Sequence, residues 1–332
     1  MKLSVLYGCD DNYAPYTGVS MLSLFENNKH IDDLTVYLAS MGIEQDNINK
    51  LSNLANSYGR KIIILDTEKA VEKTQSYRWG SWNNSVATWL RFFVLDQIPD
   101  DVDRLLWLDS DTLVKDSLDY LATLDMGDSA VGAALDSLSY YHRFRLSVPR
   151  YYNAGVLLFN LKVWRENNTL DEMMSHLEKN IDRYPINDQD LLNDFFSSSI
   201  ICLPNRFNFQ GTHVAYTDDQ YQFAYKWKPG EYYSKEELAS ARQNPAVIHF
   251  FRFLGDYPWT DGMNLHPCKN AYNDAKRVSS WKDNPMAPRR KEFVFKAEKV
   301  LYITLPKALF LYIFKLYTNR ELIYKRPFSK KS

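Results

Sequence analysis

The chain of 332 residues has only three cysteines, Cys9, Cys202 and Cys268, an odd number with no C-x-x-C spacing. That excludes a disulfide framework and a cysteine-built zinc site, and it fits a reducing, cytoplasmic setting. An uninterrupted apolar run of roughly 18 residues is also missing, which excludes a transmembrane helix. The first apolar stretch, Leu3 to Tyr7, meets Asp10 and Asp11 at once and offers no cleavage site. It therefore reads as a strand and not as a signal peptide. No internal repeat or low-complexity tract stands out.

A net excess of charge is lacking as well, since the formal net charge is −1. The average hides an asymmetry. Arg289 to Ser332 holds 12 Lys/Arg against 3 Glu, or +9; the remaining 288 residues hold 28 basic and 38 acidic side chains, or −10. An acidic body whose basic end carries no recognition motif argues against nucleic acid as a partner. A basic tail on such a body points instead to a negatively charged surface. What the chain has in abundance is aromatics, 23 Tyr, 18 Phe and 8 Trp, a surplus that suits sugar stacking, membrane interfaces and core filling alike.

The first half alternates in period. Leu3–Tyr7, Leu34–Ala39, Lys61–Leu65 and Arg104–Leu108 read as strands; Tyr16–Glu26, Asp46–Tyr58 and Thr88–Leu95 read as helices between them. This βαβαβαβ pattern predicts an α/β fold with a Rossmann-like, mostly parallel central sheet flanked by helices. Further strands are expected at Ala130–Leu135, Gly155–Phe159 and Ala246–Phe251, with a helix at Asp190–Phe196. Open sheets of this kind bind ligands at the carboxyl ends of their strands. Asp10 and the pair Asp109/Asp111 lie at two such ends, so they are expected to meet in space.

The segment Arg104-Leu-Leu-Trp-Leu-Asp-Ser-Asp-Thr-Leu-Val114 carries the strongest chemical signal. A buried strand ends in two carboxylates at i and i+2, able to turn toward one hard divalent cation and, through it, a phosphate. An isolated D-x-D is more often a solvated strand end. Four other segments join it. Gly8-Cys-Asp-Asp-Asn-Tyr13 follows the first strand; Gly8 permits close backbone approach, Asp10 and Asn12 can hydrogen-bond a base or ribose, and Tyr13 can stack on a ring. Asn153-Ala-Gly155 precedes an apolar strand. Asn187-Asp-Gln-Asp-Leu-Leu-Asn193 sets polar side chains at a helix start, where capping explains them equally well. His249 closes Val247-Ile-His, as many structural histidines do.

In this order and spacing, over about residues 1–260, Cys9–Tyr16, Leu106–Asp111, Tyr152–Gly155 and Asp188–Asn193 resemble the successive blocks of glycosyltransferase family 8, which includes bacterial lipooligosaccharide galactosyltransferases and glycogenin. The resemblance implies a GT-A fold, a UDP-sugar donor (UDP-galactose or UDP-glucose), a Mn2+ or Mg2+ ion, and transfer with retention of anomeric configuration. It assigns Gly8, Asp10, Asn12 and Tyr13 to the uridine, and Arg91 to sugar hydroxyls or phosphate. Asp109, Asp111 and His249 would hold the metal, with Ser110 beside the ribose. Asp136, Asn153, Asp188 and Gln189 would surround the donor sugar. Gln189 is an amide and a poor nucleophile, suited to steadying an oxocarbenium-like centre; Asp188 is the better nucleophile if a covalent intermediate forms. Front-face attack, with the leaving phosphate accepting the acceptor's proton, is the preferred route.

One block departs from the family. In His249-Phe-Phe-Arg-Phe-Leu-Gly-Asp-Tyr-Pro-Trp259 two residues are inserted, and Tyr257 stands where a phosphate-binding lysine is expected. Gly255 is the candidate for the backbone contact to phosphate and Arg252 for the missing positive charge. The departure leaves open two alternatives: a catalytically silent glycan- or nucleotide-binding protein on the same fold, and a metal-dependent sugar-nucleotide hydrolase.

The domain reading is a transferase domain over 1–262, an irregular linker over 263–290, and a basic, aromatic, helical tail over 291–332. The tail has helical candidates at Lys291–Lys299 and Ala308–Tyr317, interrupted by Pro306, with leucines and aromatics edged by lysines. That is the composition of a helix lying in a membrane interface. The expected partners are the UDP-sugar, a glycan or lipid-linked saccharide acceptor, and an anionic membrane surface contacted through 291–332. The expected location is the cytoplasm, peripheral on the inner face of the plasma membrane.

Overall fold

A computed structural model describes residues 1–68, 70–72, 87–225, 230–289 and 293–319. The expected alternation becomes a seven-stranded sheet. Its strands are β1 Lys2–Asp10, β2 Asp33–Met41, β3 Lys61–Leu65, β4 Arg104–Leu108, β6 Val131–Leu135, β7 Tyr152–Asn160 and β8 Ile201–Cys202. They lie in the order β3-β2-β1-β4-β7-β6-β8. Pairs β1–β2, β2–β3, β1–β4 and β6–β8 are parallel. β7 runs antiparallel to both neighbours, β4 and β6. Central strands read as continuous apolar runs because both faces are covered: in β4, Leu105, Leu106, Trp107 and Leu108 are all buried, and β7 is buried from Tyr152 to Phe159. A fully buried side chain of this kind contributes about 1.5–3 kcal/mol.

A second sheet joins β5 Thr112–Val114, β10 Val247–His249 and β9 Phe209–Gln210. The strand expected at Ala246–Phe251 is thus shorter and lies outside the main sheet. Its placement matters, because β10 pairs antiparallel to β5, with His249 opposite Thr112 and Ile248 opposite Leu113. Strand β5 begins directly after the Asp109-Ser110-Asp111 turn. A small apolar cluster of Val19, Leu113, Ile248, Phe250, Trp259, Cys268 and Tyr272 fixes this sheet against the helix Ala14–Asn27.

The stretch 263–290 is not the irregular linker its polarity predicts. It contains the helix Lys269–Arg277, buries Tyr272 and Trp281 completely, and packs on the helix Ala14–Asn27. Gly18 is required there, since a Cβ at that position would fall 1.9 Å from the Trp281 ring. The indole nitrogen of Trp281 donates to Asn47 Oδ1 at 2.8 Å. Local composition misleads because a few large aromatics, spaced irregularly, carry the burial.

In the tail, helices Phe293–Thr304 and Lys307–Asn319 flank Pro306. Phe310 and Leu311 are buried, and Phe314 packs near Tyr216 of the body. The tail's last basic residues, Arg320, Lys325, Arg326, Lys330 and Lys331, lie outside the described residues, as does the start of the candidate helix at Lys291. Among the described residues, no helix is long and apolar enough to cross a membrane. Cys9, Cys202 and Cys268 are all free thiols.

Candidate active site

The carboxyl ends of β4 and β6, the start of β7, the end of β10 and the helix Asn187–Phe195 converge on one cavity of about 460 Å³. Arg91, Asp109, Asp111, Asp136, Asn153, Asp188, Gln189 and His249 all line it. Arg91 and His249 lie at opposite ends of this set in sequence, and it is the two sheets that bring them together.

Asp109, Asp111 and His249 form one cluster, each offering a ligand atom within 4.8 Å of the others. His249 Nε2 stands 3.2 Å from Asp111 Oδ1 and 3.7 Å from Asp109 Oδ2. Its other nitrogen, Nδ1, lies 3.1 Å from Asn208 Oδ1. Asn208 is fully buried and its amide donates to Asn153 Oδ1 at 2.8 Å. The imidazole is therefore held by its Nδ1–H while Nε2 faces the carboxylates, the placement of a ligating histidine. Burial disfavours the imidazolium, but the nearby Asp111 and Asp109 outweigh it and leave the His249 pKa above its ordinary value. Two hard carboxylate oxygens and one imidazole suit a manganese or magnesium ion.

Gly155 has a definite task here. A Cβ on it would fall 2.0 Å from His249 Cε1, so only glycine admits the ring. Its carbonyl also accepts from the Asp109 amide at 2.8 Å, tying the metal loop to β7.

Arg91 lines the cavity wall. It is almost wholly buried and spent on protein groups. Nη2 pairs with Asp109 Oδ1 at 3.1 Å, Nε lies 3.2 Å from Asp188 Oδ2, and Nη1 donates to the Ala154 carbonyl. The guanidinium also stacks over Trp107, 4.6 Å from the ring centroid. Trp107 Nε1 donates to the same Asp109 Oδ1 at 2.7 Å, leaving Oδ2 turned toward His249. Arg91 thus orients the acids of the site from the cavity wall.

The floor is a closed amide network. Gln189 Oε1 accepts from Asn153 Nδ2 at 3.1 Å and from the Ala154 amide at 2.9 Å. Its Nε2 donates to Asp136 Oδ2 and to the Tyr151 hydroxyl, both at 3.2 Å. Asp136 accepts further from Asn153 Nδ2 at 2.9 Å and the Leu138 amide at 2.7 Å. Beneath it, Asp190 receives Arg145 in a bidentate pair at 2.6 and 2.9 Å and the Tyr151 hydroxyl at 2.6 Å. Asp188 is buried, which pushes its pKa up to about 6 against the pull of Arg91.

The remaining sequence candidates lie elsewhere. Gly8 is not a cavity residue; a Cβ there would sit 2.8 Å from Trp107, so the glycine makes room for the ring that stacks on Arg91. Asp10 Oδ1 accepts from the Tyr13 amide at 3.0 Å, closing its own turn. Asn12 and Tyr13 are exposed, and neither lines the cavity. Ser110 is buried and accepts from Thr17 Oγ1 at 2.8 Å. Gly255 does not line the main cavity: it turns toward the tail, where a Cβ would fall 2.4 Å from Phe295. It sits at the tip of a hairpin closed by Phe253 and Asp256. Sequence reasoning missed Asn208 and His142, a buried cavity histidine whose pKa burial lowers. Neither sits in a spacing pattern that could have singled it out.

The model of the family described as glycosyl transferase family 8 matches residues 4–262. The chain is 27% identical over 314 residues to a lipopolysaccharide 1,2-glucosyltransferase of Escherichia coli, covering 90% of this chain and 86% of the relative. It is 26% identical over 295 residues to a lipopolysaccharide 1,3-galactosyltransferase of Salmonella typhimurium, covering 84% and 79%. Among solved structures, the galactosyltransferase LgtC in complex with donor and acceptor sugar analogues superposes with a TM-score of 0.67 at 26% identity, covering 84% of this chain and 96% of that one.

Proposed function

The chain belongs to glycosyltransferase family 8 and has the GT-A fold, and from that premise we propose that it is a retaining hexosyltransferase moving galactose or glucose from a UDP-sugar to a glycan or lipid-linked saccharide. The observation that carries this reading is the facing of the Asp109/Asp111/His249 cluster and the Gln189–Asp136–Asn153 floor across one cavity. The lipopolysaccharide hexosyltransferases among its relatives support the substrate class.

Asp109, Asp111 and His249 are the residues that would hold a manganese or magnesium ion, which when bound stabilises charge on a leaving diphosphate as a Lewis acid. The chain's own groups supply positioning. The Gln189 amide, with both its atoms already engaged, presents a fixed dipole to the sugar's reacting carbon, and fixed dipoles need no reorganisation during reaction. Asp188 Oδ2 lies 3.2 Å from Arg91 Nε as an ion pair without a hydrogen bond, and its charge is shared with that guanidinium. This favours front-face attack, in which the acceptor hydroxyl's proton passes to the leaving phosphate.

Residues 1–262 form the transferase unit in this reading, and the tail contacts an anionic membrane surface on the cytoplasmic side. Support comes from the outward faces of its two helices, which expose Phe293, Val294, Val300, Ile303, Leu309, Tyr312, Ile313 and Leu316.

The test is UDP release from a panel of UDP-sugars with manganese and with chelator, for wild type, Asp111→Ala and Gln189→Ala. Manganese-dependent turnover of one donor, stimulated by a saccharide acceptor and lost in Asp111→Ala, is expected. Turnover unaffected by any acceptor would make the protein a sugar-nucleotide hydrolase, and tight UDP binding without turnover would make it a silent binder.

A further inference from the structure

The residues between β10 and the stretch 263–290 form a small device that links the cavity to the C-terminal helices. Phe253 and Asp256 close a hairpin by one antiparallel bridge of two hydrogen bonds, with amide-to-carbonyl distances of 2.8 and 3.0 Å. Its two tip residues, Leu254 at φ 50° and Gly255 at φ 82°, both lie in the left-handed region. Leucine rarely adopts that conformation, and it persists only where the surroundings impose it.

The surroundings here are the helix Phe293–Thr304. Phe295 lies against Gly255 in the space a Cβ would need. Lys299 Nζ pairs with Asp256 Oδ2, and both side chains are more than nine-tenths buried. Phe253 meets Tyr302 edge-on, with ring centroids 5.3 Å apart. A buried pair of this kind is a costly thing to form. It fixes geometry because neither charge has another ion-pair partner among the described residues.

The two ends of the hairpin lead back into the cavity. Arg252 and Tyr257 both line it beside the Asp109/Asp111/His249 cluster. Tyr257 stacks on Trp259 at 4.7 Å, and Trp259 on Tyr16 at 4.2 Å. The Arg252 guanidinium lies over the Tyr257 ring, 4.9 Å from its centroid, and is exposed. Unlike Arg91, which two carboxylates neutralise, Arg252 forms no ion pair among the described residues. It is the cavity's available arginine.

We propose that the helix Phe293–Thr304 is a working part of the donor site: Lys299 and Phe295 are positioning residues that hold the Phe253–Asp256 hairpin so that Arg252 meets the phosphates of a nucleoside diphosphate. The proposal rests on the UDP-sugar reading above. It makes the tail more than an appendage, because the tail's inward face sets the site while its outward face is left for other contacts.

The experiment uses the full-length protein with UDP and manganese as the probe, read by titration calorimetry and by amide hydrogen exchange. The variants are Lys299→Met, Arg252→Gln and the two combined. Lys299→Met is expected to speed exchange of the Phe253 and Asp256 amides and to weaken UDP binding roughly tenfold, the loss of one charge-assisted contact. Arg252→Gln is expected to weaken it similarly, and the combination no further, since both act on one contact. Lys299→Met leaves Asp256 buried without its cation, so Asp256→Asn/Lys299→Met, which removes both charges, guards against simple misfolding and is expected to show the same loss. Unchanged UDP binding in Lys299→Met, or losses that multiply in the combination, would overturn the proposal. Wild type that binds no UDP overturns the donor reading itself, and amide exchange then still reports whether Lys299 holds the hairpin.

Discussion

His249 Nδ1 and Asn208 Oδ1 stand 3.1 Å apart beneath the cavity. That contact sets which imidazole nitrogen faces the two carboxylates, and it continues through Asn153 into the amide floor of the cavity. Metal cluster and floor are thus one hydrogen-bonded unit, and damage to either is expected to reach the other.

Asn208→Leu is expected to lower manganese affinity by about 10- to 100-fold, the usual effect of removing the partner that orients a ligating histidine. Calorimetric titration of manganese in the presence of UDP checks this. An affinity within about twofold of wild type, well short of that range, would show that Asn208 does not orient the ring.

Gly155→Ala introduces a Cβ 2.0 Å from His249 Cε1. Turnover should fall far more than thermal stability, because the imidazole must swing away from Asp111 while the sheet around it stays packed. Overpacking of this kind costs about 1–3 kcal/mol. Turnover comparable to wild type would mean that the histidine's position is not needed.

Arg91→Met should destabilise the protein by about 3–5 kcal/mol, since it strands Asp188 and Asp109 around a vacated buried cation site. Urea unfolding measures it. A loss below about 1 kcal/mol, in the range of an exposed pair, would contradict the reading of Arg91 as the organiser of the acids.

Asp188 gives a pH signature. Its folded pKa of about 6 lies above the ordinary 3.8, so the folded state holds the proton more tightly than the unfolded chain. Stability is therefore gained as pH falls from about 6 toward 3.8, and the cost of the buried charge is fully present above about 6. In metal-free protein, the difference in melting temperature between Asp188→Asn and wild type should shift in the variant's favour as pH rises through this window. A difference that stays constant across the whole window would show that Asp188 is not buried as described.

The outward face of the tail can be tested without disturbing Lys299 or Phe295. Val300→Ser, Ile303→Ser and Leu309→Ser change exposed side chains only. If this face enters a membrane interface, the triple variant should lose co-sedimentation with vesicles of anionic phospholipid, at about 1.5–3 kcal/mol for each large apolar side chain. Equal sedimentation of variant and wild type would remove the membrane contact from the functional reading.

Much of the frame is legible in the order of residues. Alternating apolar runs locate β1 to β4 and the helices between them, because side-chain period reflects which faces must be buried. The D-S-D turn, by itself more often a solvated strand end, is legible because four other segments accompany it in order. Gly8, Gly155 and Gly255 stand out by position, but their tasks do not. Each makes room for a ring that arrives from elsewhere in the chain, of Trp107, His249 and Phe295 respectively. The 263–290 stretch reads as a linker because Trp281 and Tyr272 bury it without any periodic signal.

The sequence alone determined the fold class, the family's ordered motifs and the paired acids that close β4, since these depend on local period, turn chemistry and residue type. Tertiary structure decided the rest. It brought His249 to the two acids by pairing β10 with β5, set Arg91 in the cavity wall among carboxylates, and brought Lys299 to Asp256 from a separate helix. Such relations arise from the packing of distant surfaces against one another, where complementary shape and desolvated charge select partners that no spacing along the chain records.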